Sequence, residues 1–261
     1  MSQRIEMMNT VYNHYDEDNR LNRSRHGQLE YMTTMAYVRR HAAPGARVLE
    51  IGAGTGRYSI ALAKAGHDVT AVELVPHNLD ILRKNSRGLP LQSMQGDALD
   101  LSRFPEGSFD VTLSLGPMYH LYDPQDVHRA LDEAIRVTKP GGVILTAFLS
   151  VHAIMITNYL NEQMRDGLAE NFTADWQVRH FEEQVFTGYD VAEFESLFAN
   201  KPVRHLTTVA ADSMMELAEQ NAAFAMSDDA FAAFTAYHLA ACETRELLGT
   251  SSHLVHICRK F

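Results

Sequence analysis

The run Val48-Leu49-Glu50-Ile51-Gly52-Ala53-Gly54-Thr55-Gly56 sets an acid two residues ahead of three alternating glycines. Glycine has no Cβ, so a ligand can lie against the backbone and positive φ angles become accessible. Apolar residues before the loop and helical spacing after it (Tyr58, Leu62, Ala65) read as strand, turn and helix. In an open parallel sheet such a turn faces the crevice at the carboxyl ends of the strands, where small ligands bind. A second acid, Glu73, closes the next strand-like run, Asp68 to Val72. A carboxylate at that place can accept hydrogen bonds from both hydroxyls of a ribose. A dinucleotide loop reads GxGxxG with an acid roughly 20 residues later. Here Gly52-x-Gly54-x-Gly56 is one residue short of that form, and Glu50 would set a negative charge near a pyrophosphate. A sulfonium ligand with an amino group carries no such penalty. A P-loop is excluded, because no Gly-Lys-Ser/Thr follows.

A second group follows the strand-like run Phe109 to Leu115, in Gly116-Pro117-Met118-Tyr119-His120-Leu121. Histidine titrates near neutrality without perturbation, so His120 is a candidate base or hydrogen-bond partner, with Tyr119 beside it. The bland alternative is a histidine that ties its own loop to a carbonyl. The N-terminal segment adds Tyr12, His14, Tyr15, Asp16, Glu17, Arg20, Arg25 and His26. Trp176 and Tyr189 are candidates for an aromatic pocket wall. No metal site is expected: HExxH is absent, and His253 and His256 would point to opposite faces of a strand. Cys242 and Cys258 have no CxxC partner and fit ordinary packing in a reducing cytoplasm.

Positioning these groups requires a sizeable scaffold. The chain has 261 residues, 46% of them hydrophobic, enough for a core without disulfide staples. Strand-like and helix-like patterns alternate through its middle, which predicts an α/β fold with a mostly parallel sheet. Strands are expected at 47–51, 68–72, 91–94, 109–115, 143–149, 203–210 and 253–259, with Lys139-Pro140-Gly141-Gly142 as a turn. Asp123-Pro124 predicts a helix start, and Asp190 with Glu193 a capping box. Three pieces fall outside the alternation: an N-terminal helical extension over residues 1–43, and insertions at about 151–187 and 212–250. Residues 44–261 form the main domain around those insertions. A net charge of −10 disfavours nucleic acid as a partner. The longest apolar run, Val143 to Ile156, is interrupted by Thr146, Ser150 and His152 and is shorter than the roughly 20 residues of a membrane helix. The first residues show no apolar signal core.

Across residues 44 to about 150 the chain resembles class I S-adenosylmethionine-dependent methyltransferases. Val48–Gly56, Val69–Glu73, Gly96-Asp97-Ala98 and Phe109–Ser114 are similar to four of that family's motifs, in order and at the family's spacing. The resemblance implies a doubly wound, seven-stranded Rossmann-like sheet, S-adenosylmethionine as cofactor and S-adenosylhomocysteine as product. It implies that Gly52, Gly54 and Gly56 shape the loop around the methionine part and that Glu50 orders its amino group. Glu73 would hold the ribose, Asp97 and Ala98 the adenine, and Leu115 with Gly116 the methionyl ammonium. It makes Tyr119 and His120 the candidates for catalysis and the N-terminal helices a lid, with Tyr12, Tyr15 and His26 against a small-molecule acceptor. The alternatives are a non-catalytic binder of the same cofactor and an NAD-dependent oxidoreductase.

Overall fold

A computed structural model describes residues 3–181 and 184–261. Met1, Ser2, Glu182 and Glu183, which fall in the expected extension and first insertion, lie outside the described residues.

The sheet is built from β1 (Arg47–Ile51), β2 (Asp68–Glu73), β3 (Leu91–Gln95), β4 (Phe109–Ser114), β5 (Thr138–Ser150), β6 (Gly188–Tyr189), β7 (Val203–Ala210) and β8 (His253–Lys260). Their order is β3-β2-β1-β4-β5-β8-β7, with β6 paired to β5. Pairing is parallel from β3 across to β5 and antiparallel on both sides of β8. Four of the five β1 residues are buried, Glu50 included. Covered on both faces, such a strand reads as a continuous apolar run instead of an alternation.

The helices are α1 (Gln3–Tyr12), α2 (Arg25–His41), α3 (Arg57–Lys64), α4 (Pro76–Asn85), α5 (Pro124–Val137), α6 (Val151–Tyr159), α7 (Met164–Asn171), α8 (Val191–Ser196), α9 (Met215–Glu219), α10 (Asp228–Ala241) and α11 (Arg245–Leu248). Local chemistry sets the starts read from sequence. Asp123 accepts from the Gln125 N–H ahead of α5, and Asp190 with Glu193 forms the capping box of α8. The buried stripe of α5 carries Val127, Leu131, Ala134 and Ile135 against the sheet.

Two expectations are corrected. The sheet has an eighth strand, β6, whose two residues are too few to leave a periodic pattern. Lys139–Gly142 belongs to β5 instead of preceding it; Gly141, at φ 78°, and a register shift against β4 absorb the irregularity.

The extension crosses the carboxyl ends of the parallel strands. Arg4 of α1 pairs with Asp97 just beyond β3. Asp18 accepts from Asn85 at 2.8 Å, and Asn22 from Arg57 at 2.8 Å. The second insertion docks on this extension through a small core of Leu29, Met215 and Phe231. Among the described residues no helix is long and apolar enough to cross a membrane.

Candidate active site

The glycine loop leaves β1 through Gly52, Gly54 and Gly56, all at positive φ (72°, 55° and 90°). A Cβ on Gly52 would come within 2.8 Å of the Pro117 ring, and one on Gly116 within 3.4 Å of the Gly52 carbonyl. The two loops approach each other too closely for side chains, which leaves backbone as the floor. Above it opens a cavity of about 640 Å³. Gly56 departs from the expected role. It is not on the cavity wall, and a Cβ there would strike Leu82 of α4 at 2.8 Å, so its bareness serves helix packing.

Glu50 and Glu73 stand on this wall, 1% and 5% exposed. Glu50 accepts from the Ser59 N–H at 2.9 Å and from the Ser59 hydroxyl. The two Glu73 oxygens accept from the N–H groups of Gly54 (2.7 Å) and Val75 (2.8 Å). Among the described residues neither acid has a cationic partner. Burial therefore pushes Glu50 up to about 8 and Glu73 up to about 7, against the pull of these hydrogen bonds. Asn78 of α4 lines the same wall, and its buried Oδ1 accepts no hydrogen bond among the described residues. Asp97, Ala98, Leu115 and Gly116 complete this end. Asp97 accepts from the Leu99 N–H at 3.1 Å and holds Arg4.

The structure brings the second group to the same cavity. Tyr119 and His120 lie in a 3-10 turn, Pro117–His120, and both are buried. His120 Nδ1 is 2.7 Å from the Val185 carbonyl, which can only accept, so Nδ1 carries the proton. Nε2, 2.9 Å from the Tyr12 hydroxyl, then accepts from it. Burial holds the imidazole down to about 4 and the Tyr12 phenol well above its ordinary range. His120 is thus neutral at physiological pH, with both ring nitrogens engaged, and is a poor proton acceptor there. Tyr15 and His26 also reach the wall; Tyr15 accepts from Arg23 at 3.3 Å, and His26 Nδ1 meets Glu219 at 2.6 Å. Trp176 and Tyr189 do not. Trp176 is 68% exposed, and Tyr189 packs between Phe194 and His180.

Local patterns missed a third cluster. Arg20 grips Glu30 through two hydrogen bonds of 2.7 and 2.9 Å, and His253 Nδ1 is 2.7 Å from Asp212 Oδ2. Ligating atoms of Glu30, Asp212 and His253 fall within 4.8 Å of one another, with Arg20 paired to Glu30 and His253 to Asp212. His253 and His256 do part company, as strand alternation requires: His256 stacks on Phe198 in the core. Of this set only Arg20 stood in a cluster visible in the sequence. The others lie up to 223 positions apart and meet only through the fold.

Residues 49–146 match the family model for a methyltransferase domain. Over this stretch the chain is similar to methyltransferases. Its relatives include a demethylmenaquinone methyltransferase of Renibacterium salmoninarum, 41% identical over 42% of this chain and 44% of that one. A ubiquinone biosynthesis O-methyltransferase of Xanthomonas campestris is 34% identical over 42% of this chain and 46% of that one. The matched stretches thus span less than half the length of these curated relatives. Among solved structures, an S-adenosylmethionine-dependent methyltransferase of Mesorhizobium loti superposes with a TM-score of 0.56 at 15% identity, covering 89% of this chain and all of that one. S-adenosylmethionine is the family's cofactor, and the bare glycine floor, the two acids without cations and the orphaned Asn78 oxygen suit it. In this methyltransferase fold the family match runs from β1 into β5, so the extension and the insertions lie outside it.

Proposed function

We propose that the protein transfers the methyl group of S-adenosylmethionine to a small-molecule acceptor by direct displacement. The observation that carries this reading is the pair Glu50 and Glu73, buried beside a bare glycine floor with no cation of their own. A ligand bearing an ammonium, a sulfonium and ribose hydroxyls supplies what that wall lacks. The bound cofactor supplies an activated methyl group. Gly52 and Gly54 let it lie on the backbone, Glu50 orients its amino group, and Glu73 accepts from the ribose. Asp97 and Ala98 meet the adenine, and the Leu115–Gly116 backbone meets the ammonium. Gly56 contributes through helix packing.

Residues 1–43 act as a lid in this reading, and the 151–187 and 212–250 insertions as a cap over the acceptor. Tyr12, Tyr15 and His26 reach the acceptor from the lid. Tyr119 and His120 overlook the reacting centre from the other side. Because His120 is neutral and bonded to Tyr12, its part is to hold the phenol and the lid in place rather than to take a proton at neutral pH. Alignment and exclusion of water then carry most of the rate, and alignment alone can be worth about 7–11 kcal/mol. The names of the relatives support an acceptor related to quinones. Two buried free cysteines support a reducing, cytoplasmic setting.

Calorimetry with S-adenosylhomocysteine tests the cofactor, with a Kd in the micromolar range expected, roughly −8 kcal/mol. No heat and no thermal shift at millimolar ligand would remove the assignment. Turnover of methyl-labelled cofactor with a metabolite pool tests the transfer; binding without label in any product would leave a non-catalytic binder.

A further inference from the structure

His253 opens β8, and its ring lies on the wall of the cofactor cavity beside Tyr119, with the two ring centroids 6.0 Å apart. Asp212, fully buried, holds the histidine twice: Oδ2 takes the Nδ1 side of the ring at 2.7 Å and Oδ1 accepts from the His253 N–H at 3.1 Å. The Ser251 hydroxyl braces Oδ1 in turn. This fixes the tautomer and the ring orientation, as a carboxylate behind a histidine does. Nε2, on the far side of the ring, has no partner among the described residues and is the ring atom left to the cavity.

The charges around the ring can be counted. Glu30 lies 3.8 Å from Nδ1 and is gripped by Arg20, and Asp212 is in direct contact. Arg20 balances one of these two carboxylates, and the imidazole balances the other. Glu17 is the remaining acid near the group, and burial pushes its carboxyl up, which weakens its claim on Arg20. Burial opposes a charged imidazole, but Glu30 and Asp212 outweigh it and push His253 up to about 9. Nε2–H is therefore a fixed, charged donor at neutral pH. Burial alone would raise the Glu30 carboxyl as well, but Arg20 and His253 hold it down to about 2.

We propose that His253, held by Asp212, anchors an ionised oxygen of the methyl acceptor (a carboxylate, enolate or phenolate), so that the protein selects acidic oxygen acceptors over amines. The proposal rests on the methyltransferase reading for the word acceptor. The contact is a hydrogen bond: the proton stays on His253 and no bond to carbon forms there. An ammonium would meet a like-charged donor and be repelled, and a neutral amine could accept the hydrogen bond only without the ion pairing that an anionic oxygen adds.

Benzoate and its neutral counterpart benzamide serve as probes, titrated calorimetrically into protein saturated with S-adenosylhomocysteine. Benzoate should bind about tenfold or more tighter than benzamide, as a hydrogen bond to a charged group gives. In His253→Gln the two should bind within about twofold of each other, with affinity for S-adenosylhomocysteine unchanged. Nitrogen NMR of the parent's imidazole should show both ring nitrogens protonated near pH 7.5 and a shift of Nε2 on adding benzoate, a readout that survives if the variant fails to fold. Equal binding of the two probes by the parent, a preference that persists in His253→Gln, or a neutral His253 ring would overturn the proposal. Loss of S-adenosylhomocysteine binding with the benzoate preference intact would instead break the methyltransferase reading and leave the anion anchor standing.

Discussion

Glu50 and Glu73, beside the glycine loop, are buried with hydrogen bonds but no cation among the described residues, whereas Glu30 and Asp212, behind the wall residues Arg20 and His253, are buried with those two cations for company. Burial raises the first pair toward neutrality. In the second cluster ion pairing overcomes burial, so Glu30 stays ionised and His253 protonated. One cavity therefore has a wall that wants positive charge from a ligand and a wall that has settled its own. The cost of leaving a carboxylate without a counter-charge makes sense where a cation arrives with each binding event.

The sharpest way to break this contrast is Glu73→Ala. It removes a charged acceptor for two hydroxyls, each such bond being worth about 1.5–3 kcal/mol, so S-adenosylhomocysteine affinity should fall by about 100-fold or more. It also strips the Gly54 and Val75 N–H groups of their acceptor, so the variant should lose stability too. Glu73→Gln, which keeps an acceptor oxygen, should lose less of both. Affinity within about twofold of the parent in calorimetry would show that Glu73 is not the ribose acid.

Next in size is pH. Groups whose folded pKa lies above the unfolded one include Glu73 (about 7), Glu50 (about 8) and His253 (about 9). Each holds a proton more tightly in the folded state, so each loses its contribution as pH rises through its folded value. Below neutrality His120 (about 4) and His256 (about 3) have the opposite sign, and their contribution is lost as pH falls below about 6.5. Between pH 4.5 and 6.5 the glutamates and these histidines oppose each other. The ligand-free protein should thus be most stable there and lose about 5 °C or more of Tm between pH 6.5 and 9, at about 2–4 °C per kcal/mol. Binding of S-adenosylhomocysteine near pH 7 should release protons from Glu50 and Glu73, seen as a buffer-dependent heat. Proton uptake instead would invert the assignment of the two walls.

The legible part of the molecule follows the same division. Strands β1 to β5, the loop and both its acids stand in local patterns, since a parallel sheet writes its apolar runs and glycine turns into short stretches of chain. The His253 cluster was not legible, because Glu30, Asp212 and His253 come from three remote segments and each looks ordinary where it stands. His120 was legible by type but not by state. Its low proton affinity comes from burial, which segments remote in the chain complete; the Val185 carbonyl, 65 residues away, pulls the other way and loses.

His120→Ala accordingly tests a positioning role. Turnover should fall by about tenfold, with little change in the shape of the pH profile from 6 to 9, and Tyr12→Phe should reproduce part of the loss. A loss that vanishes at high pH would restore His120 as a base. The smallest expected effect is at Arg4, which holds Asp97 where an adenine amino group would donate. Arg4→Ala should tighten S-adenosylhomocysteine by about twofold to threefold, the scale of one partly exposed ion pair. Weaker binding would show that Arg4 closes over the ligand rather than competing with it.

Strand β8 follows β7 in the chain yet lies between β5 and β7 in the sheet. The growing sheet therefore cannot zip up in chain order: β5 keeps an open edge along most of its length until β8, from beyond α9, α10 and α11, slides in between it and β7. Such long-range pairing is slow, and an open apolar edge is a template for aggregation while it lasts. His253 arrives with β8, so the charged donor of the cavity is delivered by the same late event that seals the sheet. Mutations that delay insertion of β8 should show themselves first as inclusion bodies, well before they alter the folded protein.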